Sequence, residues 1–175
     1  MTRALRFVPI ALLVVLVAGL VWRLAVPDNR EIQSRLVGQA LPEFSAPPVL
    51  PGKAGVASTQ LRGGGPRLVN FFASWCVPCI AEARLLMALK AEGVAIDGIA
   101  IRDRPEDVAR FLAANGDPYA RIGADPQSRI QIAFGSSGVP ESFVVDRRGI
   151  IRYQHIGPIE AGDVAVILAK IEEAK

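Results

Sequence analysis

The sequence predicts an α/β domain in which a central mixed sheet is flanked by helices, preceded by a single apolar segment at the N-terminus. Three observations carry that reading. Apolar runs of strand length alternate with helical patterns between residues 67 and 115. Two strand-like runs joined by a glycine-bearing turn follow at 143–153, and a helix with one apolar face closes the chain. The only two cysteines of the 175 residues, Cys76 and Cys79, stand where the first of these strands gives way to a helix.

At the N-terminus, Arg3 and Arg6 precede residues 7–22, which carry no charge, and apolar character resumes after Arg23. A spanning helix needs about 20 apolar residues, so 7–26 reads as a single transmembrane anchor if Arg23 snorkels to the headgroups. A cleaved signal peptide would have a shorter apolar core and a small-x-small cleavage site, which Ala18-Gly19-Leu20 supplies poorly. The arginines ahead of the span place residues 1–6 in the cytoplasm and the remainder outside. Residues 27–40 are polar and mixed and read as a spacer, with the domain proper at 41–175.

After the breaker Gly63-Gly64-Gly65-Pro66, residues 67–73 form a run suited to a strand buried on both faces, interrupted by Asn70. From Cys76 to about Ala91 the chain lacks glycine, is rich in Ala, Leu and Glu, and stops before Gly93, as a helix does. Residues 95–101 read as a second strand. Pro105, Glu106 and Asp107 open a further helix, with Val108, Phe111 and Leu112 on one face. The stretch around Tyr119 is less regular, and a short helix ends near Phe134-Gly135. Residues 143–146 and 150–153 then form a hairpin, and Val164, Ile167, Leu168 and Ile171 line the last helix. The order βαβα then ββα, with Cys-x-x-Cys at the first strand–helix junction, is that of a thioredoxin fold.

The net charge of +3 comes with both signs scattered, and no basic run is interleaved with aromatics, so nucleic-acid binding has no support. A structural zinc site needs about four ligands, and two cysteines with the single distant His155 do not supply them. A purely structural disulfide across so short a loop would constrain little of the unfolded chain. A redox-active pair remains, with no metal and no cofactor beyond the Cys76–Cys79 disulfide itself. His155 reads as a solvated strand histidine and receives no role.

Through Asn70-Phe71-Phe72-Ala73-Ser74-Trp75-Cys76-Val77-Pro78-Cys79, Gly116-Asp117-Pro118-Tyr119, and Gly138-Val139-Pro140-Glu141-Ser142-Phe143, the chain resembles the thiol:disulfide interchange proteins of cytochrome c maturation, the CcmG/DsbE family. The likeness runs from about Leu36 to the last helix. Its Trp-Cys-x-Pro-Cys core is common to the thioredoxin superfamily, whereas the Gly-Val-Pro-Glu-Ser-Phe segment and the single anchor are more specific. The family commonly has Thr where this chain has Ser142.

The resemblance implies reduction of the haem-binding Cys-x-x-Cys-His cysteines of apocytochrome c. The domain would face the periplasm from the bacterial inner membrane, fed by a membrane thiol reductase and working with the cytochrome c maturation machinery. A general periplasmic reductase or oxidase with another client would use the same chemistry. A copper-delivery protein on this fold would need soft ligands beside a histidine.

Cys76, at the exposed N-terminus of its helix, is the expected nucleophile, because the helix dipole and free N–H groups favour its thiolate. Cys79 resolves the mixed disulfide. Pro140, following Val139 before a strand, is where similar folds place a cis proline that shapes the backbone pairing with substrate; an ordinary trans proline is the plainer alternative. Asn70 stands where similar thioredoxins carry a buried aspartate, and an amide cannot titrate. Glu82, three residues after Cys79, and Glu141 are the acids expected to take that role, against the plain reading of Glu82 as a solvated helix residue. Trp75 is expected to pack over the disulfide, with plain core as the equal alternative, and Trp75, Val139 and Pro140 are the residues expected to bind substrate.

Overall fold

The structure, a computed structural model, describes residues 7–25 and 34–175. Its chain divides into two compact units, Met1–Glu31 and Ile32–Lys175. In the first, helix α1 (Val8–Ala25) has 18 residues, about 27 Å of helix against a hydrocarbon core of about 30 Å. Among the described residues no helix is long and apolar enough to cross a membrane. The apolar side chains of α1 from Val8 to Trp22 are exposed. The expected cytoplasmic residues 1–6, the last anchor residue Val26 and spacer residues 27–33 lie outside the described residues.

The second unit is built on a five-stranded mixed sheet. Strand β3 (Arg67–Phe72) lies at its centre, parallel to β4 (Ala95–Ile101) and antiparallel to β6 (Glu141–Val145). Outside these, β5 (Arg121–Asp125) runs parallel to β4, and β7 (Ile151–Ile156) antiparallel to β6. A short ladder joins β1 (Ser45–Ala46) to β2 (Val56–Ala57). The helices are α2 (Val77–Ala91), α3 (Pro105–Asn115), α4 (Arg129–Ala133) and α5 (Asp163–Glu173).

Alternation along β3 divides the core between the two faces of the sheet. Leu68 and Phe72 pack with Cys79, Leu86 and Leu89 of α2 and with Ile167 of α5. Val69 and Phe71 point the other way, into a cluster with Val56, Phe134 and Phe143. There Phe71, Phe134 and Phe143 meet edge to face, with centroids 5.1 to 5.7 Å apart, a favourable arrangement for aromatic quadrupoles. Asn70 sits on the α2 face and is fully buried.

Two features differ from expectation. The irregular stretch after Tyr119 contains strand β5, whose short, charged sequence hides its pairing with β4. The stretch 34–40, expected within the spacer, packs on the domain: Ser34 Oγ donates to the Phe134 carbonyl at 2.6 Å, and Gly38 N–H to the Ile151 carbonyl at 2.7 Å. These bonds satisfy backbone and hydroxyl groups that a free linker would leave to water.

Candidate active site

Strand β3 carries the chain to Ala73 at the end of the sheet where α2 begins. Ser74 is tied to the segment after β4, its N–H and hydroxyl donating to the Asp103 carboxylate at 2.5 and 2.7 Å. Cys76 is the N-cap of α2, with extended backbone and Sγ accepting from the Cys79 N–H at 3.2 Å. Pro78 occupies the first turn, where its missing N–H costs nothing. Cys76 and Cys79 form a disulfide, their Cα atoms 5.3 Å apart.

The exposed Cys76 expected from the sequence is not observed: Cys76 is 4% accessible and Cys79 1%. As an N-cap, Cys76 turns its side chain back over the first turn toward Cys79 rather than outward. Its neighbours Trp75 and Val77 face solvent instead, at 58% and 74%. Trp75 is therefore not a core residue. Its indole Nε1–H reaches the Arg102 carbonyl at 3.4 Å, and the ring forms one wall of a surface groove of about 370 Å³ shared with Arg102, Gln131, Gly138 and Val139.

Pro140 follows a cis peptide bond after Val139, and it is buried. The pairing of Phe71 with Glu141 brings it to the same end of the sheet as the disulfide. Val139 packs against both core clusters.

The two candidate acids occupy different surroundings. Glu82 lies on the buried face of α2 with Cys79, Ala83 and Leu86, and only 1% of it is accessible, so it is not a solvated helix glutamate. Its Oε1 accepts from Asn70 Nδ2 at 3.0 Å and its Oε2 from the Ile159 N–H at 2.9 Å. Burial pushes its carboxyl up to about 7, more than the bonds from Ile159 and Asn70 hold it down. Asn70 also donates to Ser142 Oγ at 3.0 Å and accepts from the Tyr119 hydroxyl at 2.7 Å. Tyr119 is fully buried, and burial together with the Glu82 charge holds its phenol well above the usual range. A buried carboxyl titrating near neutrality, three residues along α2 from Cys79, can hold or release a proton at working pH.

Glu141 is equally buried, but its bonds run to the loop before Pro140. Oε2 accepts from Ser137 N–H at 2.8 Å, Ser136 Oγ at 2.9 Å, Ser137 Oγ at 3.2 Å and Gly138 N–H at 3.4 Å. Its other oxygen accepts from Gln154. The structure thus brings Glu82 to the cysteine-bearing helix and Glu141 to the proline loop. Tyr119 and Ser142, which the sequence marks only as part of the resemblance, and Gln154 had no expected role; the signal for the first two was Asn70, since a buried amide demands partners. His155 stands apart, with Nε2 3.3 Å from the Pro158 carbonyl.

Comparison with known proteins agrees with this geometry. The redoxin family matches residues 36–171. Thiol:disulfide interchange protein HelX of Rhodobacter capsulatus is 36% identical over 159 residues, covering 91% of this chain and 90% of its own. Thiol:disulfide interchange protein DsbE of Escherichia coli K12 is 32% identical over 164 residues, covering 91% and 88%. Among solved structures, a thiol:disulfide interchange protein of the thioredoxin family from Chlorobium tepidum superposes with a TM-score of 0.61 at 27% identity, over 81% of this chain and 98% of that one.

Proposed function

Because the chain belongs to the redoxin family, among the thiol:disulfide interchange proteins of the CcmG/DsbE type, and is a protein-disulfide oxidoreductase, we propose that it reduces the haem-binding Cys-x-x-Cys-His cysteines of apocytochrome c. The observation that carries this reading is the Cys76–Cys79 pair at the start of α2 with the buried Glu82 behind it. A carboxylate there disfavours a neighbouring thiolate, removes a stabiliser of the reduced state, and makes the pair a better reductant.

In the reduced protein, the Cys76 thiolate attacks a sulfur of the substrate disulfide. A Cys76–substrate mixed disulfide forms, and the other substrate sulfur leaves as a thiolate. Cys79, deprotonated, then attacks Cys76 Sγ, the mixed disulfide breaks, and the second substrate sulfur leaves. Two electrons pass to the substrate and the Cys76–Cys79 disulfide remains, so the pair carries the redox equivalents without a further cofactor. The protons balance through water and the Glu82 carboxyl, whose range near neutrality suits both directions.

An oxidising compartment supplies no thiol pool to reset the pair, so a membrane thiol reductase serves as donor. Arg3 and Arg6 ahead of the apolar α1 support a single-pass inner-membrane anchor with the domain in the periplasm. Retention of the full chain in carbonate-washed membranes tests the anchor.

The client is tested with full-length Cys79→Ser protein, which cannot resolve. Preferential trapping of a disulfide-bonded Cys-x-x-Cys-His peptide over one lacking the histidine supports apocytochrome c. Equal trapping indicates a general reductase. The equilibrium potential decides direction: a value of roughly −270 to −200 mV fits a reductant, and one near −120 mV an oxidant.

A further inference from the structure

The loop ahead of Pro140 is held on one oxygen of Glu141, and the other oxygen accepts from Nε2 of Gln154 on β7. The oxygen of the same Gln154 amide accepts from the Ser34 N–H at 2.6 Å. Ser34, near the start of the folded unit, is seated from its other side by its hydroxyl on the Phe134 carbonyl at 2.6 Å. It lies so close to Gly135 that a Cβ there would come within 2.8 Å of Ser34 Oγ.

These bonds permit one orientation of the amide. A backbone N–H only donates, and a carboxylate only accepts, so Oε1 must face Ser34 and Nε2 must face Glu141. Turned the other way, the amide would set its oxygen against a buried carboxylate and its NH₂ against a donor. We propose that Gln154 is a positioning residue for disulfide exchange: it orients Glu141, and through it the 136–138 loop along which substrate pairs, with the Ser34 N–H setting the direction of its amide. This rests on the disulfide-exchange activity and on the proline loop as the substrate-pairing strip, and is independent of which client is used. The point where the chain enters the folded unit and the substrate-pairing loop are thereby one hydrogen-bonded assembly.

The test uses the reduced full-length protein in detergent and a model peptide with one intramolecular disulfide, so that a wrong client assignment does not affect it. The saturating rate, the half-saturating peptide concentration and the reduction potential are measured. Gln154→Leu is expected to raise the half-saturating concentration about tenfold or more, the scale of one charge-assisted hydrogen bond, with the other two quantities unchanged. Gln154→Arg can donate to Glu141 without help from Ser34 and is expected to restore the wild-type value. Ser34→Pro and Ser34→Ala both lose the hydroxyl, but only proline loses the N–H, so only Ser34→Pro should reproduce the Gln154→Leu effect. In the Gln154→Arg protein, Ser34→Pro should add nothing beyond Ser34→Ala. Equal behaviour of the two Ser34 variants in the wild-type background, or a Gln154→Leu protein that binds peptide normally, overturns the proposal. If Gln154→Leu does not melt cooperatively, the Ser34 pair decides the matter.

Discussion

The Tyr119 hydroxyl donates to Asn70 Oδ1 at 2.7 Å, and that bond fixes which way the Asn70 amide faces. With its oxygen engaged, Asn70 can only turn its NH₂ toward Glu82 and Ser142. Tyr119→Phe leaves a fully buried acceptor without its donor. Its expected cost is about 1–3 kcal/mol, measured by denaturant unfolding. A loss below about 0.5 kcal/mol would show that the amide finds another partner or that the network is slack.

Glu82 ties stability to pH. Folded, it ionises at about 7; its ordinary value is 4.5. Between the two, the folded protein holds a proton that the unfolded chain has lost, so stability falls as pH rises through this window and levels above it. The fall attributable to Glu82 is on the order of 3 kcal/mol. Glu82→Gln should flatten that part of the unfolding profile and remove the near-neutral inflection from the exchange rate. Superimposable profiles for the two proteins would place the titration elsewhere.

Gly98 is required by the stack above it. A Cβ at Gly98 would lie 2.9 Å from both Phe72 Cε1 and Tyr119 Cδ1, whose rings are stacked with centroids 4.7 Å apart. Gly98→Ala should therefore destabilise by about 1–3 kcal/mol, as overpacking does. Gly64→Ala, with no atom within 4 Å of its Cβ, is the control and should be near neutral. Equal melting temperatures for the two variants would contradict this account.

Trp75 separates binding from stability. With its ring mostly in solvent, Trp75→Ala should change unfolding free energy by less than about 0.5 kcal/mol. Loss of the groove wall should nonetheless raise the half-saturating concentration of a disulfide peptide. Unchanged peptide kinetics would remove the groove from substrate binding.

The strands and helices that frame the cysteines were legible because their signals are local. A buried run at β3, the Pro-Glu-Asp opening of α3 and the turn between β6 and β7 each state their structure within a few residues. Strand β5 was not legible, since Arg121 and Asp125 bound it and Gly123 interrupts it. Its place depends on Gly123 yielding room to Ala46, whose Cβ would lie 2.3 Å from an added Cβ. At the site, the cysteine pair was legible from its spacing, and the cis bond before Pro140 only through the resemblance to similar folds. The burial of Glu82 could have been read from its position in the Cys79, Ala83, Leu86 stripe of α2, but a glutamate there is ordinarily taken for a surface residue. The tie between Ser34 and Gln154 spans 120 residues, and no local pattern encodes it; the low accessibility of Cys76 follows from cap geometry that its sequence neighbours do not announce.

Trp75 adjoins Cys76 in sequence, and the chain's one other tryptophan, Trp22, lies in α1 outside the redoxin unit. Disulfides quench indole emission at close range and thiols do so less. The protein therefore carries its own optical gauge: a difference in fluorescence between oxidised and reduced forms is expected at Trp75, the tryptophan of the redox unit. Each electron transfer to or from the pair can be timed by stopped-flow emission without attaching a dye.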